Sequence, residues 1–513
     1  MNAKIRLAAL LLFSGAFCAQ AQNTVVGTGV SGTGNVNPPS TQNTVVGSLI
    51  GGAANTGGSN SFFGYQAGMS NAGGGKNTFL GALGGASNIS GGENVFTGYS
   101  SGNKNSSGNY NVFTGAYTGF NSSKASNNVF TGWSAGYSNI KGEHNVFSGY
   151  RSGYFNLADG NTFYGAYSGL NNTTGIGNVF SGMNAGYSNT TGGANTFTGA
   201  NSGYSNSGGW NNSFYGYDSG RSNTTGFANT FTGNNSGYSN TTGESNSFYG
   251  YDSGRLTTTG NQNSFLGFNA GYGNTAGNQN VSVGASSGYK NAIGVNNVFV
   301  GFVAGFYTTA SSNAFVGSGT GFWNSTGEGN AYFGSNAGFN NKTGSRNVFL
   351  GDSAGYNELG SNKLYIANNS ATTLIYGDFS TGKVGIGGIN TYATADTFPT
   401  TAGAVSLANY KLFVKGGILT EEVRVNLMSA WADYVFAPDY QLKPLAEVET
   451  FIKENGHLPN VPSAAKVAEE GLELGEIAKV QQEKIEELTL YLIEQNKKIE
   501  ELTKQVKILS ERN

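Results

Sequence analysis

NTFTGANSGYSNSGGWN, residues 195–211, is followed at once by NSFYGYDSGRSNTTGFA, residues 212–228. The two strings align without a gap, with Asn first, Phe third and Gly fifth and ninth. Working outward, Asn-x-Phe-x-Gly-x-x-x-Gly recurs with its Asn at 43, 60, 77, 94, 111, 128, 145, 161, 178, 195, 212, 229, 246, 263, 280, 297, 313, 330 and 347. Sixteen of those eighteen steps are 17 residues and two are 16, so the period is a property of the whole segment and not of one duplication. Gly holds the fifth place from Gly47 to Gly351 and the ninth from Gly51 to Gly355 in all nineteen units. The third place departs from Phe only at Val45, Ser282 and Tyr332. A second Asn-x-x-Gly usually follows, as in Asn189 to Gly192 and Asn240 to Gly243. Units 195–228 and 229–262 are nearly identical, a duplicated 34-residue pair, which implies that the array can change length.

A unit of 17 residues is too short for a helix pair or a propeller blade and suits one coil of a solenoid with two short strands and two tight turns. Asn-Gly and Gly-rich corners supply the positive φ such turns require. The predicted fold is therefore an all-β parallel β-solenoid, or β-roll, of about nineteen coils. Stacking in register puts each Phe about 4.8 Å from its counterparts, Phe197 between Phe180 and Phe214, and the first-place Asn into an amide ladder. Nineteen coils at that rise give a rod of roughly 90 Å. Each coil has few large apolar side chains and many glycines whose ordering is entropically costly, which points to several chains packing together.

On either side of the repeat the sequence changes character. Residues 1–21 place Lys4 and Arg6 before an apolar run, Leu7 to Phe17, and Ala19-Gln20-Ala21, the order of a secretory signal with cleavage near Ala21. The lone Cys18 leaves with it; a lipoprotein reading would instead acylate Cys18, against the bulky Phe17 before it. The mature chain then has no disulfide or thiolate site and no transmembrane segment, and is secreted or displayed at a cell surface. Residues 22–42 form an N-terminal flank, 43–358 the solenoid, 359–416 a β-rich neck, 417–476 a small α+β domain and 477–513 a coiled coil. In the neck, alternating Leu364, Ile366, Leu374, Tyr376, Val384 and Ile386 predict strands, Pro399 to Ala404 a loop, and Lys411 to Val414 and Glu422 to Val425 further strands. Pro444 starts a helix with Leu445, Val448, Phe451 and Ile452 on one face, closed by Gly456; His457 to Ser463 is an extended linker.

Ile485, Leu488, Leu492, Gln495, Ile499, Leu502, Val506 and Leu509 repeat as heptads among Glu and Lys, which predicts a parallel coiled coil. The bland alternative is an amphipathic helix folded back on its own domain. Branched residues at a with Leu at d favour two strands, and Gln495 weakens that preference, so the heptads leave dimer against trimer open.

Chemistry is sparse. The formal charge of −2 lacks the footprint of a nucleic-acid binder. Gly377 to Lys383 nearly matches a phosphate loop, but Val384 stands where Ser or Thr must reach the metal, so strand-turn-strand is the reading. Ser463-Ala-Ala-Lys466 and Lys342-Thr-Gly344 imitate serine-acylase motifs in the wrong order. His144 and His457 lie far apart with no other soft ligand nearby, and repeat carboxylates (Asp159, Asp218, Asp252, Asp352) are too few for calcium turns. No catalytic, cofactor or metal site is predicted, and the chain is read as a non-enzyme. Two features remain for binding. A row after the ninth Gly, Tyr137, Tyr154, Tyr187, Tyr204, Tyr238, Tyr272, Phe306, Phe322 and Phe339, either stacks on sugar rings or forms a core between chains. Thr196/Thr198 and Thr230/Thr232 suggest an ice-binding array, but neighbouring coils break its regularity.

The stretch Asn43 to Gly355 resembles the head of trimeric autotransporter adhesins, whose Asn- and Gly-rich coils form a β-roll and assemble in threes. Their usual repeat is shorter, near 14 residues, and they continue into a membrane β-barrel where this sequence ends in heptads. The segment from Lys411, including WADYVFAPDYQLKPLAEVETFIKENGHLPNVPSA, resembles C-terminal domains of tail-fibre-like proteins of the Bacteroidota and, more distantly, the endosialidase-type chaperone that trimerises phage fibres. The Ser-Asp and downstream Lys of those self-cleaving chaperones are not matched. The resemblance implies a homotrimeric adhesin-like fibre binding glycans or another surface; a passive shaft or phage-derived fibre component is the alternative.

Overall fold

A computed structural model describes residues 24–26, 42–50, 56–388, 398–426 and 431–512. The predicted signal, with Cys18 and Ala21, lies outside the described residues. The chain divides into two compact units, 1–370 and 371–513.

The first unit is a parallel β-solenoid. Places two to four of each coil form a three-residue strand, from Thr44–Val46 to Val348–Leu350, each paired in register with the next coil. Phe96 thus lies against Phe79 and Phe113, with Val95 and Thr97 facing out. The expectation of two strands per coil is corrected to one. The rest of the coil turns through non-glycine left-handed residues at the seventh and seventeenth places, such as Ser100 at φ 54° and Tyr110 at φ 60°. Left-handed residues interrupt a strand, yet inter-coil bonds persist there: the Ser100 N–H donates to Ala82 O at 2.9 Å and Tyr117 N–H to Tyr99 O at 2.8 Å. These bonds overdetermine the backbone and offset its strain, about 1 kcal/mol or more for each bulky residue so placed.

The core is a column of rings and two columns of amides. Phe62 to Phe265 stack at centroid spacings of 4.7 to 4.9 Å. Ninth-place glycine is required twice over: Gly102 has φ 56°, and a Cβ there would lie 2.5 Å from the Phe96 ring. In the first-place column the Asn111 amide donates to Asn94 Oδ1 (3.1 Å) and to Ala125 O (2.8 Å). The second Asn of the repeat, read in the sequence only as part of a turn, builds another ladder: Asn105 Nδ2 donates to Asn88 Oδ1 at 2.8 Å and to Gly108 O at 3.1 Å. Satisfied amides such as these remove the penalty of burying polar groups that would otherwise cost about 1–3 kcal/mol each, whereas around Thr257 and Thr308, which interrupt the second column, Asn240, Asn274, Asn291 and Asn324 keep buried amide atoms without a partner. Glu358 ends that column, accepting from Gly360 N–H and from the Tyr365 hydroxyl, both at 2.6 Å.

Two features extend the sequence reading. Thr24–Val26 pairs in parallel with Thr44–Val46. The signal was legible, since QNTVVG occurs at both 22–27 and 42–47, although residues 22–42 read as a flank. At the other end Lys363–Ile366 adds a strand beyond Val348–Leu350.

The second unit carries the predicted strands Ile375–Asp378 and Lys383–Ile386, an antiparallel hairpin, with Leu412–Val414 parallel to the latter. The phosphate-loop look-alike is this hairpin's turn. Tyr376, Phe398 and Phe413 pack beside it. Thr401–Ala402 pairs with Val405–Ser406 where a loop was expected, and residues 422–425 are not a strand, because they lie exposed with no ladder partner among the described residues. Helix α1, Leu445–Asn455, starts at Pro444 and ends at Gly456 with φ 75°, as read. Helix α2, Ala464–Glu470, was not foreseen; Ser463 caps it by accepting the Lys466 N–H at 3.2 Å. Helix α3, Leu474–Ser510, begins three residues before the predicted coiled coil.

Candidate binding surface and assembly helix

The heptad residues share one stripe of α3, and that stripe is exposed along its length. Ile485, Leu488, Leu492, Ile499, Leu502, Val506 and Leu509 are 56 to 63 % exposed, and Gln495 is exposed among them. What α3 buries is polar. Glu483 accepts from the Tyr434 hydroxyl, from Asn460 Nδ2 at 3.1 Å and from Lys484 Nζ at 2.8 Å, while Glu487 takes Tyr440 and the same Lys484. The 3₁₀ turn Ala432–Phe436 brings Ala432 and Val435, both buried, to this side of the helix. Burial alone would raise the Glu483 carboxyl, but its hydrogen bonds from Lys484, Tyr434 and Asn460 prevail and hold it at about 2. The Tyr434 hydroxyl, bonded to that carboxylate, is pushed up to about 12. Leu445, Val448, Leu458 and Pro459 face Ile485 and Leu488 across an open cleft of about 520 Å³. The domain therefore leaves much of its apolar surface uncovered by its own chain.

On the solenoid, the predicted aromatic row is a physical column at the tenth place of the coil. Tyr137 and Tyr154 stack at 4.9 Å, Tyr187 and Tyr204 at 5.0 Å, and Phe322 and Phe339 at 5.0 Å, all half-buried. The structure adds Phe120, Tyr289 and Tyr356 to it. It also adds two guanidinium groups: Arg221 lies 5.7 Å from both Tyr204 and Tyr238, and Arg255 lies 5.6 Å from Tyr238 and 6.0 Å from Tyr272. Arg between aromatics at the tenth place was the missed signal, since a planar cation stacks as a ring does.

This geometry changes what the row can do. Rings stacked along the axis cover one another's faces, so inside each run a sugar meets edges and hydroxyls rather than the open faces that CH–π stacking needs. The Thr pairs flank the buried Phe of their strands, and in register Thr198 and Thr232 alternate with Tyr215 and Tyr249, so the face is not a flat threonine array.

The other singled-out residues have structural surroundings. The main-chain oxygen of Lys342 accepts from Ser325. His144 is a left-handed turn residue at φ 57°, and His457 packs edge-on to Phe451. No protein-family model, curated protein or solved structure matches this chain. Among the described residues no helix is long and apolar enough to cross a membrane.

Proposed function

We propose that this protein is a secreted or surface-displayed homotrimeric fibre, in which the solenoid is a binding rod and α3 with its domain is the assembly module. The observation that carries the reading is the orientation of α3: the polar side is engaged by Tyr434, Tyr440 and Asn460, and the heptad stripe stays exposed. A 37-residue helix of about 55 Å with one apolar seam gains its stability from partner helices. The adhesin-head and tail-fibre resemblances favour three copies over two and an adhesive use, with glycans or another surface as ligand. A shaft without a ligand of its own is the second reading, and the covered ring faces of the tenth-place column favour it.

Light scattering on the mature chain, Gln22 to Asn513, tests assembly. The expected mass is three chains, falling to one in a variant carrying Leu492→Asp and Leu502→Asp. A monomer before substitution would overturn the fibre.

A further inference from the structure

Three arginines lie against the aromatic surface of the solenoid, and two of them are neutralised. Arg221 pairs with Asp218 at 3.6 Å and Arg255 with Asp252 at 3.2 Å, the acid standing at the seventh place of the coil and the arginine at the tenth. In coil 145 the arrangement is reversed. Arg151 occupies the seventh place and Tyr154 the tenth, so the cation stands where the coils of Arg221 and Arg255 keep their carboxylate. Its guanidinium lies 5.2 Å from the Trp133 ring, 5.6 Å from Tyr150 and 5.4 Å from Tyr154. Among the described residues it has no ion-pair partner, and its buried Nε has no hydrogen-bond partner.

The surroundings of Arg151 are built as a patch. Trp133 and Tyr150 stack at 5.1 Å and are 40 and 41 % exposed. Small residues, Ala116 and Ala166, flank this pair at the same place of the neighbouring coils. Beside them Tyr117 and Tyr167 turn about 80° out of the stacking plane, and both are half-buried. Lys104 lies 5.2 Å from Phe120, at the head of the adjoining Phe120–Tyr137–Tyr154 stack. Between residues 94 and 160 the cations are Lys104, Lys124, Lys141 and Arg151 against Glu143 and Asp159, a surplus of two on a chain whose net charge is −2. An unmatched planar cation, held still by three rings, is preorganised for an anion at little entropic cost. Aromatic edges and tyrosine hydroxyls around it suit a ligand that is polar and ring-shaped.

The geometry points to Trp133, Tyr150, Tyr154 and Arg151 as a subsite for an acidic glycan, its carboxylate or sulfate on the guanidinium and its sugar ring against the aromatic patch. This subsite rests on the binding-rod reading and gives that rod a ligand class and an address.

The test is calorimetry on the mature full-length protein with a heparin decasaccharide, a polygalacturonate oligomer, neutral cellohexaose and an oligothymidylate. Binding is expected to one or both acidic glycans and not to cellohexaose, and the preferred one identifies sulfate or carboxylate. It is expected to weaken as salt rises, and by about tenfold in Arg151→Gln, the loss of one charge-assisted contact. Arg151→Lys should recover part of it, and Arg221→Gln should bind as the parent does. Acidic-glycan binding unchanged in Arg151→Gln would overturn the subsite and leave the binding rod standing. Equal or tighter binding of the oligothymidylate would overturn the glycan assignment. Failure of all four probes would overturn the subsite, and failure on a broad glycan array as well would sink the glycan-binding rod in favour of the passive shaft.

Discussion

The main-chain N–H of Asn111 donates to Oδ1 of Asn94, one coil earlier, at 3.0 Å. The same relation recurs one coil on, where Asn128 N–H donates to Asn111 Oδ1 at 3.1 Å. Each side chain thus serves as the acceptor that the next coil's backbone lacks, and its own Nδ2 closes a turn carbonyl fourteen residues ahead.

Asn111→Ala is therefore expected to cost far more than its size suggests. It orphans the buried Asn128 N–H and the Ala125 carbonyl together, a loss of about 3 kcal/mol. Lys124→Ala, exposed on the same coil, should stay within about 0.5 kcal/mol. Chemical denaturation of both variants checks the contrast, and equal effects would refute the ladder's role.

Ser282 is a gap in the ring column. Its neighbour Phe299 tilts 32° against Phe315 at 5.5 Å, and comes within 2.8 Å of where a Cβ on Gly288 would sit, so it leans toward the missing ring. Ser282→Phe should restore the stack and stabilise the solenoid by about 1–2 kcal/mol, seen as a higher melting temperature. A lower melting temperature would mean that the relaxed coil no longer has room.

Because register is set by neighbouring coils only, deletion of a whole duplicated pair should be tolerated. Removing residues 229–262 leaves Asn212 followed by the coil of Asn263 and shortens the rod by roughly 10 Å. Small-angle scattering should show the shorter rod with an unchanged β-sheet spectrum. Removing residues 229–237 instead shifts every column by half a coil and should abolish folding of that segment.

Acid should melt the C-terminal module before the solenoid. Glu483 titrates at about 2 in the folded domain against a usual value of 4.5, so its contribution is whole above pH 4.5 and is lost as pH falls toward 2. Helical ellipticity should decline across that window, whereas the Asn and Phe columns carry no charge to titrate. Glu483→Gln should give up the contribution already at neutral pH and flatten the acid limb. An unchanged acid transition would show that the Tyr434–Asn460–Lys484 cluster contributes nothing to the fold.

The sequence by itself determined the solenoid, its coil length, the Phe column, the first amide ladder, the end of α1 at Gly456 and the heptad stripe. All of these repeat or terminate by local rules: a fixed period, a glycine with positive φ, an apolar residue every third or fourth position. Only the tertiary structure decided the rest. Non-glycine residues such as Tyr117 take left-handed backbone because inter-coil hydrogen bonds hold them there, a cause no single coil contains. The second Asn ladder and the polar anchoring of α3 through Glu483 depend on partners 17 to 49 residues away. Ring orientation mattered most for function. A periodic string shows that aromatics align, but whether they offer faces or edges, and whether Arg151 meets a carboxylate, is fixed by side-chain packing between coils.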